Sequence, residues 1–113
     1  LTDISVTLDG DIAIAIDAQG HSGFADKGED IVCAGVSALL QALLYGFKNV
    51  LDLSSFFYTI EEGEGRMTID WSMSRSPEAR LLADTIIGSL KEIARAYPEH
   101  VRIMEVHTDG IQV

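Results

Sequence analysis

Cysteine is almost missing from this sequence: Cys33 is the only one in 113 residues. A single thiol closes no internal disulfide, which excludes a disulfide-stapled scaffold and suits a reducing compartment. It also excludes a cysteine-rich zinc site. Positive charge is scarce as well, with 8 basic residues against 18 acidic ones and a net charge of −10. Such a surface repels phosphate, so no direct nucleic-acid binding through a basic face is expected, whereas a basic polypeptide would be attracted. Low-complexity tracts are absent and the aliphatic content is high, the composition of a globular chain. The N-terminus lacks a basic segment followed by an apolar run, so no secretory leader is read there.

One long stretch, Ile31 to Phe47, has no charge at all. It reaches only the bottom of the membrane-spanning range, about 17 residues. It also contains Gly35, Ser37, Gln41 and Gly46 and has no basic flank at its start. A buried core helix is therefore expected, with no membrane partner. A chain of this length forms one domain, here residues 1–113, and buries about two-thirds of its unfolded surface without a metal or disulfide staple.

Taken in order, Ile4 to Leu8 alternates apolar and polar residues, and Ile12 to Ile16 alternates isoleucine and alanine. Asp9-Gly10 between them is a hairpin signal. Ile12, Ile14 and Ile16 are expected to face the core, with Ala13 and Ala15 on the opposite face. Asp17 to Glu29 is polar and glycine-rich and reads as a loop. Glu29 or Asp30 is placed to start a helix over Ile31 to Lys48, with Asn49 as its stop. Ser55 to Ile60 reads as a strand, Glu61 to Gly65 as a solvated turn, and Met67, Ile69, Trp71 and Met73 as the inward side of another strand. Ser76-Pro77-Glu78 starts a second helix carrying Leu82, Ile86, Leu90, Ile93 and Tyr97, and Pro98 ends it. Val101 to Val106 is a last strand, and Thr108 to Val113 a tail. The order β-β-α-β-β-α-β predicts an α+β, two-layer fold: a mostly antiparallel sheet with two helices packed on it.

Chemistry concentrates in Gly20 to Leu39, GHSGFADKGEDIVCAGVSAL. On the expected helix boundaries Cys33 falls in the first turn, where the helix dipole and free N–H groups favour a negative sulfur. Backbone N–H groups there would also suit an oxyanion. His21 lies on a loop that returns to the helix start, so its imidazole can pair with the thiolate and protonate a leaving amine. Gly20 and Gly23 would let a substrate approach the backbone closely. The bland alternative is equally open on the residues alone. A cysteine on an apolar helix is commonly core, and a histidine in a Gly-His-Ser-Gly turn is commonly a surface residue. Asp30 suits either a cap or a partner of His21, and Ser37 lies one turn after Cys33 on the same face. Ser22 has no second base beside it. His100 and His107 read as surface residues. Glu61, Glu62 and Glu64 read as a solvated turn rather than a metal site, and the glycine spacing matches neither a P-loop nor a dinucleotide fingerprint.

The same twenty positions resemble the signature of the ribosomal-processing cysteine protease family, Prp (YsxB-like): Gly-His-small-Gly-aromatic-Ala, a short spacer, then Gly-x-Asp-Ile-Val-Cys-Ala-Ala-Val-Ser-x-Leu. Gly35 departs from it, standing where alanine is usual. The resemblance implies a cysteine endopeptidase that removes the N-terminal extension of bacterial large-subunit ribosomal protein twenty-seven and so supports ribosome assembly. It places the catalytic pair on His21 and Cys33, with Asp30 and Ser37 in support. Gly20, Ser22, Gly23 and Gly28 fall on a substrate loop expected to order when a peptide binds. It implies a cytoplasmic homodimer with no metal or organic cofactor, acting on an extension that is apolar and aromatic near the cut. The rival reading from another class is a non-catalytic, ribosome-associated peptide-binding or assembly module using the same groove.

Overall fold

The computed structural model describes residues 2–20 and 27–108. Five strands and two long helices follow in the order β1 (Thr2–Asp9), β2 (Ile12–Gln19), α1 (Lys27–Tyr45), β3 (Phe57–Glu61), β4 (Arg66–Asp70), α2 (Pro77–Ala96) and β5 (Val101–His107). The strands form one sheet in the order β3-β4-β2-β1-β5. Three neighbouring pairs are antiparallel, and β1 with β5 is parallel. This is the predicted two-layer α+β arrangement.

Alternation places Thr2, Ile4, Val6 and Leu8 on the covered face of β1. Gly10, with φ 66°, makes the turn into β2. The inward set on β2 differs from the expected isoleucines. Register shifts between Thr7 and Leu8: Thr7 pairs with Ala15, Leu8 with Ala13, and Ile14 is the extra residue of a β-bulge. A bulge resets the two-residue period, so Ala13, Ile16 and Ala18 join the core cluster. Ile14 is buried outside that cluster, and Ile12 is only half-buried.

The first helix starts earlier than expected. Lys27 to Asp30, read as loop and cap, are already helical, and the α-helix ends at Tyr45 rather than Lys48. A short π-helical segment, Gly46 to Val50, continues it. Ile31–Val50 is long and apolar enough to cross a membrane by length and composition alone. Its Val32, Val36, Leu40, Leu43 and Phe47 instead form core on the sheet, as expected of a core helix.

In the second half, Glu61 closes β3 and a 3-10 turn runs over Glu62–Glu64 before Gly65, which adopts φ 60°. Strand β4 stops at Asp70, because the Asp70 carboxylate accepts from Ser72 N (2.9 Å) and Ser72 Oγ (2.7 Å) and turns the chain. Trp71 is still buried, against Phe47 at 5.1 Å between ring centres. Beyond that turn the strand period is lost, and Met73 is 73% exposed rather than inward. Ser76 caps α2 as expected, its Oγ accepting from Ala79 N at 3.1 Å. Ala79, Ala83, Ile86, Ile87 and Leu90 are the buried stripe of α2, and Tyr97 lies outside, half exposed.

Candidate active site

Cys33 sits on the inward-turning side of α1, 5% exposed. Because α1 begins at Lys27, Cys33 lies in the second turn and not the first. The helix dipole acts mainly within the terminal turn, so its expected hold on the sulfur is weakened. A backbone N–H of Cys33 directed at an oxyanion is likewise not expected, since N–H groups past the first four bond within the helix. The sulfur meets a different group. Thr2 Oγ1, on the covered face at the start of β1, lies 3.4 Å from Cys33 Sγ.

Both residues line a cavity of about 330 Å³ between α1 and the β3–β4 hairpin. Its helix wall is Cys33, Ser37 and Gln41, which recur every four residues, with Val36 and Leu40 beside them. Its sheet wall is Ala18, Met67 and Ile60, and its far rim is Glu61, Glu62, Gly65 and Arg66. An apolar floor with a few polar groups at the rim is the usual build of a ligand site. Arg66 is tied into the rim from below. Its guanidinium donates twice to the Asp17 carboxylate, at 3.1 and 3.0 Å, and Thr68 Oγ1 donates to the same group at 3.2 Å.

The expected site residues divide as follows. Ser37 is exposed on the cavity wall one turn from Cys33, as its spacing predicts. Gly20 follows β2 with φ 107°, a left-handed conformation that favours glycine where the chain leaves the sheet. His21, Ser22 and Gly23 lie outside the described residues. Gly28 belongs to α1 and not to a loop, because helix formation reaches back into the polar segment. Asp30 is in the first turns of α1, and its side chain lies outside what is described. Glu61 and Glu62, read as part of a solvated turn, prove to border the cavity. Thr2, Ala18 and Gln41 were not singled out from the sequence. Gln41 carries a signal in its eight-residue spacing from Cys33, whereas Thr2 and Ala18 join only through the sheet. Among the described residues no cluster of three or more His, Cys, Asp or Glu could hold a metal ion.

This small two-layer α+β domain, with a thiol on the wall of an apolar-floored recess, matches known proteins in both fold and sequence. A Prp protease from S. aureus, solved with a substrate peptide, superposes with a TM-score of 0.84 over 93% of this chain and 99% of its own, at 23% identity. A Streptococcus mutans protein superposes with a TM-score of 0.83 over 96% of each chain, at 25% identity. The ribosomal processing cysteine protease Prp of Bacillus subtilis is 34% identical over 100 residues, 80% of this chain and 83% of that protein. Its Staphylococcus aureus counterpart is 33% identical over 104 residues, 89% of this chain and 93% of that protein. These likenesses define a cysteine-type endopeptidase. Residues 1–102 match the family described as cysteine protease Prp, and the chain belongs to that family.

Proposed function

We propose that this chain removes the N-terminal extension of large-subunit ribosomal protein twenty-seven, with Cys33 as nucleophile and His21 as proton carrier. The observation that carries the reading is the position of Cys33 Sγ on the wall of an apolar-floored cavity of about 330 Å³. A recess of that size accepts a large apolar side chain next to the bond to be cut. The names of the relatives, ribosomal processing proteases, supply the class of substrate.

The Cys33 thiolate attacks the peptide carbonyl carbon, and the carbonyl electrons move onto oxygen. As the tetrahedral intermediate collapses, the C–N bond breaks and His21 gives its proton to the departing amine. The acyl group stays on sulfur as a thioester. A water, giving a proton to His21, attacks that thioester, and the sulfur leaves as thiolate. Asp30 and Ser37 support the pair by orientation and hydrogen bonding. The enzyme works in the cytoplasm as a homodimer, without metal or organic cofactor and without direct nucleic-acid contact. The net charge of −10 favours encounter with a basic ribosomal protein.

The test is cleavage of a purified precursor carrying the extension, followed by mass spectrometry. The parent should release the extension, while Cys33→Ala and His21→Ala lose at least about 100-fold in rate, the scale of removing a nucleophile or general acid. Unchanged cleavage by Cys33→Ala would sink the assignment. Tight precursor binding with no cleavage by the parent would favour the non-catalytic module.

A further inference from the structure

We propose that Thr2 is a positioning residue for the Cys33 thiolate, its hydroxyl supplying the hydrogen bond that holds the sulfur in place and in its charged form. The inference rests on the reading of Cys33 as nucleophile and adds a residue to that site.

Thr2 is the only buried polar side chain among the described residues, at 5% exposed. It occupies the inward face of β1, where the positions that follow at the same period are Ile4, Val6 and Leu8. Valine has nearly the same shape and would avoid desolvating a hydroxyl, so packing alone gives no reason for threonine here. The partner that compensates the hydroxyl is Cys33 Sγ at 3.4 Å. In the thiol state either atom can donate. Once the sulfur is ionised it only accepts, so the hydroxyl must donate, and a hydrogen bond to an ion is stronger than a neutral one.

The donor is also firmly mounted. Thr2 N donates to His100 O at 2.8 Å, and Thr2 pairs with Val101 of β5. A β-branched side chain has few χ1 choices, so a fixed backbone leaves Oγ1 little freedom. The contact matters more because Cys33 lies past the first turn of α1, where the helix terminus gives it less. Thr2 and Cys33 line the same cavity, so the bond sits at the mouth of the reaction and not behind it.

The test uses alkylation of Cys33 by iodoacetamide in the intact protein across a pH series, in the parent, Thr2→Val, Thr2→Ala and Thr2→Ser. The rate follows the thiolate fraction. Loss of the hydroxyl in Thr2→Val and Thr2→Ala should slow alkylation on the rising limb of the pH profile by about tenfold, the scale of one hydrogen bond to a charged group. Thr2→Ser should keep the parent profile, and the plateau rate at high pH should not fall in any variant. A parent-like profile in both Thr2→Val and Thr2→Ala overturns the proposal. So does a Thr2→Ser shift as large as theirs, since the role would then be packing. Thr2→Ala introduces no new atoms and carries the comparison if Thr2→Val does not fold. Alkylation needs no substrate, so this result is separate from the cleavage test of Cys33: active Cys33→Ala defeats the nucleophile, whereas an unmoved profile defeats Thr2 alone.

Discussion

Gly35 lies on the side of α1 that faces α2, and a Cβ built on it would stand 3.8 Å from Ile93 Cδ1, an ordinary contact. Glycine inside a helix costs about 1 kcal/mol relative to alanine, so Gly35→Ala should raise unfolding free energy by about 0.5–1 kcal/mol. A denaturant titration reads this as a higher midpoint at unchanged slope; a lower midpoint would mean that the α1–α2 contact has no room for a methyl group. At this same scale the sequence exposed some site residues and hid others. Cys33, Ser37 and Gln41 share a helical period and can be placed together from spacing. Thr2 cannot, because only the alignment of β1 beside α1 brings a residue 31 positions away to the sulfur.

Between elements, α2 is fastened to β5 by Lys91 Nζ, 2.9 Å from Glu105 Oε2. The hydrogen bond from Lys91, and then its charge, holds the Glu105 carboxyl below its usual range, with slight burial opposing and the His107 charge assisting. A carboxyl whose folded value is depressed stabilises the fold above its unfolded value and loses that contribution as pH falls through the folded one. Both side chains are more than 40% exposed, so solvent screening limits the pair. Glu105→Gln should melt slightly below the parent near neutral pH, by about 0.5 kcal/mol or less. The two should converge when pH falls below the ordinary carboxylate range. A difference that persists or grows in acid would show that Glu105 contributes something other than this charge. The element boundaries that the sequence misplaced have local causes. Strand β4 ends early because Asp70 caps a turn with Ser72. Helix α1 starts early because the first turn of a helix is polar, like a loop, and apolar periodicity begins only where Val32 reaches the core.

For the molecule as a whole, one face of the sheet carries both helices and a single core, in which Leu43 of α1 and Leu90 of α2 are fully buried. Truncating either to alanine removes apolar contact and leaves a cavity, at a cost of about 2–5 kcal/mol. Chemical denaturation of Leu43→Ala and Leu90→Ala should show losses in that range, while Leu81→Ala, at a residue 71% exposed, stays within about 0.5 kcal/mol of the parent. Comparable losses at all three would contradict a core placed between helices and sheet. This placement also accounts for the charge-free run: buried on the sheet at Val32, Val36, Leu40 and Leu43 of α1 and at Phe47 in the segment that continues it, it is the core helix of a two-layer domain.

The order of elements and the Ser76 cap of α2 are local properties, set by turn residues, capping groups and apolar spacing, and the amino-acid sequence determined them without help. The proposed site was likewise read from a contiguous stretch of sequence, Gly20 to Leu39. The tertiary structure alone decided what depends on register and on distant segments meeting. The bulge at Ile14 chose which side of β2 is core, and the sheet order brought the β3–β4 hairpin over α1 to make the cavity. The parallel pairing of β1 with β5 anchored Thr2 against the thiol. A one-residue shift in any of these ladders reverses the faces of a strand, and no local pattern carries that information.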